Sequence, residues 1–345
     1  MNSKEAVIAQ DMDRIANDTR IPWDQLQGKT VLVTGATGLI GRTLVRALLH
    51  RSESFHDGIT VVAPVRSMEK ARKLFADSAA LKLIEGSMEA LPAVAGPVDY
   101  VIHCACPTDS GFFLNHPVDT IQTILEGTKN ILELAREKEA KGVVFLSSME
   151  VYGRIDSEVL LGEDTMGTID LMSPRSSYPL AKRMAENLCC SYWSQYGVPA
   201  MVCRLAQTFG PGVSGDDKRV FAYMARCALD GRNIELATSG AKKNMYLYTA
   251  DAVTAILTIL LCGKPATAYN AANSQTYCSI KEMGQAVADA FGKGDVQVKT
   301  NVNAEQSAKY RPNSYLWLDT ARLQSLGWKP TVGLMEMYER MMSAF

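Results

Sequence analysis

Histidine is scarce: the 345 residues hold four, His50, His56, His103 and His116, at scattered spacing. That leaves neither a histidine-based metal site nor a Ser-His-Asp triad to build. Eight cysteines, at 104, 106, 189, 190, 203, 227, 262 and 278, form no CxxC pair, so zinc and dithiol redox chemistry are excluded. Their apolar surroundings predict buried, reduced thiols. Excess charge is missing as well: a formal net charge of -1 gives no general field for nucleic acid or an anionic membrane. No uncharged run approaches the roughly 18 residues of a membrane span. The opening residues, MNSKEAVIAQDMDRIAND, contain acids and no apolar signal core. A soluble cytoplasmic protein is expected.

What is present is apolar. At 47% hydrophobic content the chain can bury one large core, or a larger and a smaller one packed together. Short β-branched runs, TVLVTG at 30, ITVVAPV at 59, LKLIEG at 81, VDYVIHCA at 98, VVFLSS at 143 and AMVCRLA at 200, alternate with helix-length connections. Strands so uniformly apolar belong to a parallel sheet covered on both faces, the doubly wound α/β class of Rossmann type.

The first strand runs into Gly35-Ala36-Thr37-Gly38-Leu39-Ile40-Gly41 and then a helical pattern. Three spaced glycines alone are a weak signal. At the C-terminal end of a strand, opening a helix whose first N–H groups are free, they form a cradle for a pyrophosphate. Gly35, Thr37, Gly38, Leu39, Ile40 and Gly41 are therefore expected to hold a dinucleotide. NAD sites usually place a carboxylate at the end of the second strand, on the ribose 2′-OH. Here Val65, Arg66 and Ser67 stand there, and Arg66 with Ser67 suits a 2′-phosphate, so NADP is expected, with NAD possible. Residues 1–27 read as an N-terminal helical extension and 28–205 as the NAD(P)-binding domain. Residues 206–345, where the alternation turns irregular, read mainly as a smaller α/β substrate lobe partly interleaved with the first.

Tyr178 and Lys182 lie four apart in the helical stretch SSYPLAKRMAENLCCSYWSQYG, on one face. A phenol with an ordinary pKa near 10 works as an acid or base when a neighbouring cation favours phenolate, the role expected of Lys182 and the oxidised nicotinamide ring. Ser148, ending the strand VVFLSS, is expected to bond the same substrate oxygen. Such a set moves a proton at a hydroxyl while a nicotinamide moves hydride at its carbon.

TGATGLIG, HCACPTDS, SSMEVYG, YPLAK, RLAQTFGPG and LGWKP, in that order, resemble the extended short-chain dehydrogenase/reductases that act on nucleotide sugars. PRSSYPLAKRMAENLC and the Arg219-Val220 pair look most like the UDP-glucuronate decarboxylases among them. The resemblance implies a bound NAD(P) also touching Ala105, Tyr178 and Lys182, a nucleotide-sugar substrate, no metal, and a homodimer through the Tyr178 helix and its neighbour near residues 117–138. It also implies substrate contacts at Met149, Gln207, Arg219 and Arg311, with Glu150 acting beside the catalytic set. Arg204, Arg219 and Arg311 are candidate ligands for the diphosphate.

Three positions depart from the pattern. Decarboxylases typically write STSEVYG, and Met149 replaces its second serine; a thioether neither donates a proton nor orients a sugar hydroxyl. Asn244 stands where an arginine is usual, and Arg311 is one residue out of the usual spacing. These departures weaken dehydration most and decarboxylation moderately, leaving 4-keto reduction or C4 epimerisation as the expected reaction. A non-catalytic NADP-binding regulator is expected to lose part of the serine, tyrosine and lysine set, and all three are present. A reductase of small apolar ketones is expected to have an apolar second lobe, whereas SGDDKR, GAKKN and AKYRP are basic.

Overall fold

A computed structural model describes residues 3–107, 110–301 and 314–345. Its centre is a seven-stranded, wholly parallel sheet. The strands are β1 (Thr30–Thr34), β2 (Thr60–Val65), β3 (Leu81–Glu85), β4 (Tyr100–His103), β5 (Gly142–Ser148), β7 (Ala200–Leu205) and β11 (Ala268–Ala271). Their order, β11-β7-β5-β4-β1-β2-β3, reverses direction of growth between β1 and β4, which opens a crevice at the strands' C-terminal ends.

Alternate residues explain the two layers. Val31 and Val33 of β1 join one hydrophobic cluster with Leu44 and Leu48 of helix α2 (Leu39–Phe55) and Val253 and Ile256 of α8 (Thr249–Cys262). Leu32 faces the other way, into a cluster with Ile124 and Ile131 of α5 (Pro117–Glu137) and Ala181 and Ala185 of α6 (Ser177–Tyr196). A strand with period 2 and no polar side must be covered on both faces, and it is. Helix α8 is apolar nearly all round because it has neighbours all round: β5 and β7 beneath it, α1 (Ser3–Ala16) and α2 beside it.

The second sheet has the order β12-β10-β14-β6, with β8 (Gln207–Phe209) also paired to β10 (Lys243–Tyr248). Its members come from both halves of the chain: β6 is Leu160–Leu161, β12 Asn273–Ser279 and β14 Tyr315–Leu318. Conversely β11, far along the chain, completes the edge of the large sheet beside β7. No helix among the described residues is long and apolar enough to cross a membrane.

Candidate active site

The cradle starts where β1 stops. Gly35 has φ +65°, a left-handed conformation that glycine adopts without penalty, and a Cβ there would lie 2.8 Å from the Ala105 nitrogen. Gly38 donates its N–H to the Gly35 carbonyl (2.9 Å) and caps α2 without a side chain. A Cβ on Gly41 would stand 2.3 Å from the same carbonyl, so helix and turn meet only because both positions lack one. The first-turn N–H groups of Leu39, Ile40 and Gly41 have no intrahelical partners, and Thr37 is half-buried beside them. Thr34 Oγ1 accepts the Ala105 N–H (3.0 Å) and lies 2.8 Å from His103 Nδ1, binding the end of β4 to the end of β1. Burial pushes His103 down to about 3, with Lys182 adding to it, so the imidazole is neutral.

At the end of β2, Val65 is buried and Arg66 and Ser67 are exposed. Ser67 Oγ accepts the Lys70 N–H (3.2 Å) as the N-cap of α3 (Met68–Leu74), which leaves its proton for a ligand. Arg66 carries charge to the rim of the cradle, where it reaches Glu89 electrostatically.

On the far side of the crevice, Ser148 ends β5. Its Oγ accepts the Glu150 N–H (3.2 Å), and its side chain favours ionisation of the Tyr178 phenol. Lys182, one turn after Tyr178 and 2% exposed, donates to the Leu146 carbonyl (2.6 Å) and favours ionisation of the Cys106 thiol. Its Nζ sits 4.5 Å from the Phe145 ring centre and 5.9 Å from that of Tyr178. The structure thus brings Ser148, Tyr178, Lys182 and Glu150 together. Burial pushes Tyr178 well above the ordinary tyrosine range, Cys106 and Glu150 push the same way, and Ser148 and Arg175 only oppose it.

Three neighbours escaped the sequence reading. Phe113, on the short helix α4 (Ser110–Asn115), stacks on Tyr178 with ring centres 4.3 Å apart and planes 15° apart. Arg175, from the turn before α6, has its guanidinium 5.7 Å from the Phe113 ring and 3.7 Å from Glu150. Cys106 lies within reach of both Lys182 and Tyr178. PRSSY contained Arg175 in plain view, but nothing in the sequence paired it with a glutamate 25 positions earlier.

The remaining candidates divide. Arg204 is corrected: at 5% exposure its guanidinium bonds both oxygens of Glu186, the Glu163 carbonyl (2.6 Å) and Tyr152 (3.2 Å), leaving nothing for a diphosphate. Met149 is 8% exposed and packs in the hydrophobic core directly after Ser148, a floor without a proton donor. Gln207 is half-buried on β8, two residues beyond Leu205, the register partner of Ser148. Arg219 caps α7 (Val220–Asp230) and is chelated by Asp217 (2.6 to 3.1 Å). Asn244 is buried on β10. Arg311 lies outside the described residues. No cluster of metal ligands occurs among the described residues.

Known proteins match this chain over most of its length. The family model "NAD dependent epimerase/dehydratase family" covers residues 31–272. The chain belongs to that family. Members similar to it include UDP-glucuronic acid decarboxylase 6 of Arabidopsis thaliana, 28% identical over 89% of this chain and 85% of the relative. Among solved structures, the dTDP-glucose 4,6-dehydratase DesIV of Streptomyces venezuelae, with NAD and TYD bound, superposes with a TM-score of 0.75 at 22% identity, over 91% of this chain and 95% of that one. The UDP-glucuronic acid 4-epimerase of Bacillus cereus, in complex with UDP-glucuronic acid and NAD, gives 0.73 at 19%, over 91% and 98%. This family member is an enzyme, and its glycine turn fits the dinucleotide on which the family depends.

Proposed function

We propose that the enzyme transfers hydride at C4 of a nucleoside-diphosphate sugar, as a 4-keto reductase or a C4 epimerase, with NADP(H) as its dinucleotide. The observation that carries this is the grouping of Ser148, Tyr178 and Lys182, the serine side chain favouring the tyrosine's ionisation and the ammonium 5.9 Å from its ring, in a site where the residue after Ser148 is a buried thioether. A dinucleotide bound on the glycine turn supplies or removes the hydride. Tyr178 moves the proton at the sugar oxygen, Ser148 orients that oxygen, and Lys182 offsets the charge left on the phenol. Met149 has no proton for a further elimination. Arg66 and Ser67, with no carboxylate at Val65, favour the 2′-phosphate.

Decarboxylation of a UDP-uronate is the second reading, favoured by the Arabidopsis relative and by Glu150, which lies beside an arginine in the site. A homodimer through α5 and α6 is part of the proposal. Val118 and Ile121 on one helix and Met184 and Trp193 on the other leave apolar surface exposed there.

The test is incubation with UDP-, dTDP-, GDP- and CDP-sugars and their 4-keto forms, with and without NADPH, read by mass and NMR. Consumption of a ketone with NADPH supports reduction, and turnover without reductant supports epimerisation. Release of carbon dioxide overturns both. Tyr178→Phe should abolish turnover and keep dinucleotide affinity within a few fold; surviving turnover removes Tyr178 from the mechanism.

A further inference from the structure

We propose that the protein binds a single chloride ion in a small internal cavity, where the N-terminal helix α1 meets α2 and the first residue of α8. The cavity lies on the opposite face of the large sheet from Tyr178, and the proposal is independent of the reaction read there.

The cavity offers about 10 Å³, the room of one guest the size of a water or a halide. Its walls are rich in donors. Arg42 and Arg46, one turn apart on α2, come from one side, Thr249 of α8 from another, and Asp11 of α1 and Pro211 help to close it. Each arginine gives one Nη2 to a backbone carbonyl, Arg42 to Gly212 (2.8 Å) and Arg46 to Leu74 (2.8 Å). Neither comes within ion-pair distance of a carboxylate among the described residues. Burial holds Arg42 below the ordinary arginine range, with Arg46 pushing the same way, and burial alone does so to Arg46. Two half-buried cations on successive turns call for a counter-charge.

A second, independent observation points to the same guest. Thr249 is 1% exposed, and its Oγ1 has no hydrogen-bond partner. A Cβ on Gly210 would stand 2.8 Å from that oxygen, so the hydroxyl is pressed against the turn that Pro211 continues into the cavity wall. Helix α8 also begins without a side-chain cap, which leaves its first N–H groups and its positive end at the same place. Asp11, the carboxylate in the wall, already receives Tyr248 and Arg340. A water would have to place its own protons among these donors; a halide has none to place. The space is too small for phosphate or an organic acid, which leaves a monatomic anion. Arg42 directly follows Gly41, so the ion braces the helix that opens the dinucleotide cradle and holds α1 against it.

Crystals of the full chain soaked in sodium bromide and measured at the bromine absorption edge should show an anomalous peak among Thr249 Oγ1 and the Arg42 and Arg46 guanidinium groups. A water at that place, without anomalous signal, overturns the proposal. In solution, thermal unfolding is followed while sodium gluconate is exchanged for sodium chloride at constant ionic strength. Wild type should gain on Thr249→Val, which removes only the hydroxyl, in a saturable way, their Tm values lying about 1–3 °C further apart in chloride than in gluconate. Thr249→Val should weaken chloride at least about tenfold, and Thr249→Ser, which keeps the hydroxyl, by no more than about threefold. Arg46→Gln takes the place of Thr249→Val if the latter fails to fold. A chloride dependence identical in wild type and the folded variant overturns the proposal even where bromide is seen, since the peak then marks an adventitious ion only.

Discussion

At the scale of single residues, chemistry depends on what a side chain is already doing. Arg204, inside the last strand run, and Arg66, just after the second, both read in sequence as candidate cations for a ligand. Arg204 spends its donors on Glu186, Glu163 and Tyr152 inside the protein, whereas Arg66 is exposed at the rim of the cradle. Only the second can recognise a ligand. If Arg66 holds a 2′-phosphate, a charge-assisted bond of about 1.5–3 kcal/mol is at stake. Arg66→Ala should then weaken NADPH binding by roughly tenfold to a hundredfold and leave NADH binding nearly unchanged. Fluorescence titration with the two reduced dinucleotides measures both; equal losses would mean that Arg66 does not read the phosphate. Ser148, Tyr178 and Lys182 were legible because their spacing follows helix and strand periods. Phe113 was not, because its partner is 65 positions away and no local pattern encodes a stack.

At the scale of elements, the alternation of apolar runs and helical stretches was enough to predict the parallel sheet, since a strand buried on both faces has no polar alternation to hide. The turn between β1 and α2 was legible for the same kind of reason, as three glycines at a junction. Gly41 is the stringent one: a Cβ 2.3 Å from a backbone carbonyl cannot be absorbed by rotating a side chain. Gly41→Ala should cost about 1–3 kcal/mol in urea unfolding and at least about tenfold in dinucleotide affinity. Gly162→Ala, where a Cβ meets nothing within 4 Å, should stay within about 0.5 kcal/mol.

The junction of β4 with β1 gives a second prediction. His103 is neutral in the fold, with a pKa of about 3, against about 6.5 in an unfolded chain. Its contribution is complete above pH 6.5. As pH falls, the unfolded chain gains a proton that the folded one refuses, so stability is lost down towards pH 3. Between pH 7 and 5 the loss should be about 2 kcal/mol, and His103→Gln should remove most of that slope. A variant with the full slope would place its origin elsewhere.

At the scale of the whole molecule, the least legible feature is how the ends are tied. Residues 1–27 read as an extension because no motif joins them to anything. In the fold, α1 lies against α2 and α8, and its Asp11 accepts from Tyr248 (2.6 Å) and from Arg340 (2.8 Å) of the C-terminal helix Leu334–Met342. The partners are 237 and 329 positions away, beyond any periodicity. Asp11 and Arg340 keep 5% and 16% of their side chains exposed. Burial pushes Asp11 up, against the pull of Tyr248 and Arg340, so the pair balances rather than adds stability in isolation. Removing one partner is then worse than removing both. Arg340→Met should cost about 3 kcal/mol by leaving Asp11 buried beside Tyr248 without its cation. The double change Asp11→Asn with Arg340→Met should cost clearly less than the two single changes summed. Urea unfolding of the four proteins closes the cycle, and strict additivity would mean that α1 is held by its apolar face alone, through Ile15 and Met12, with the ionic clamp contributing nothing.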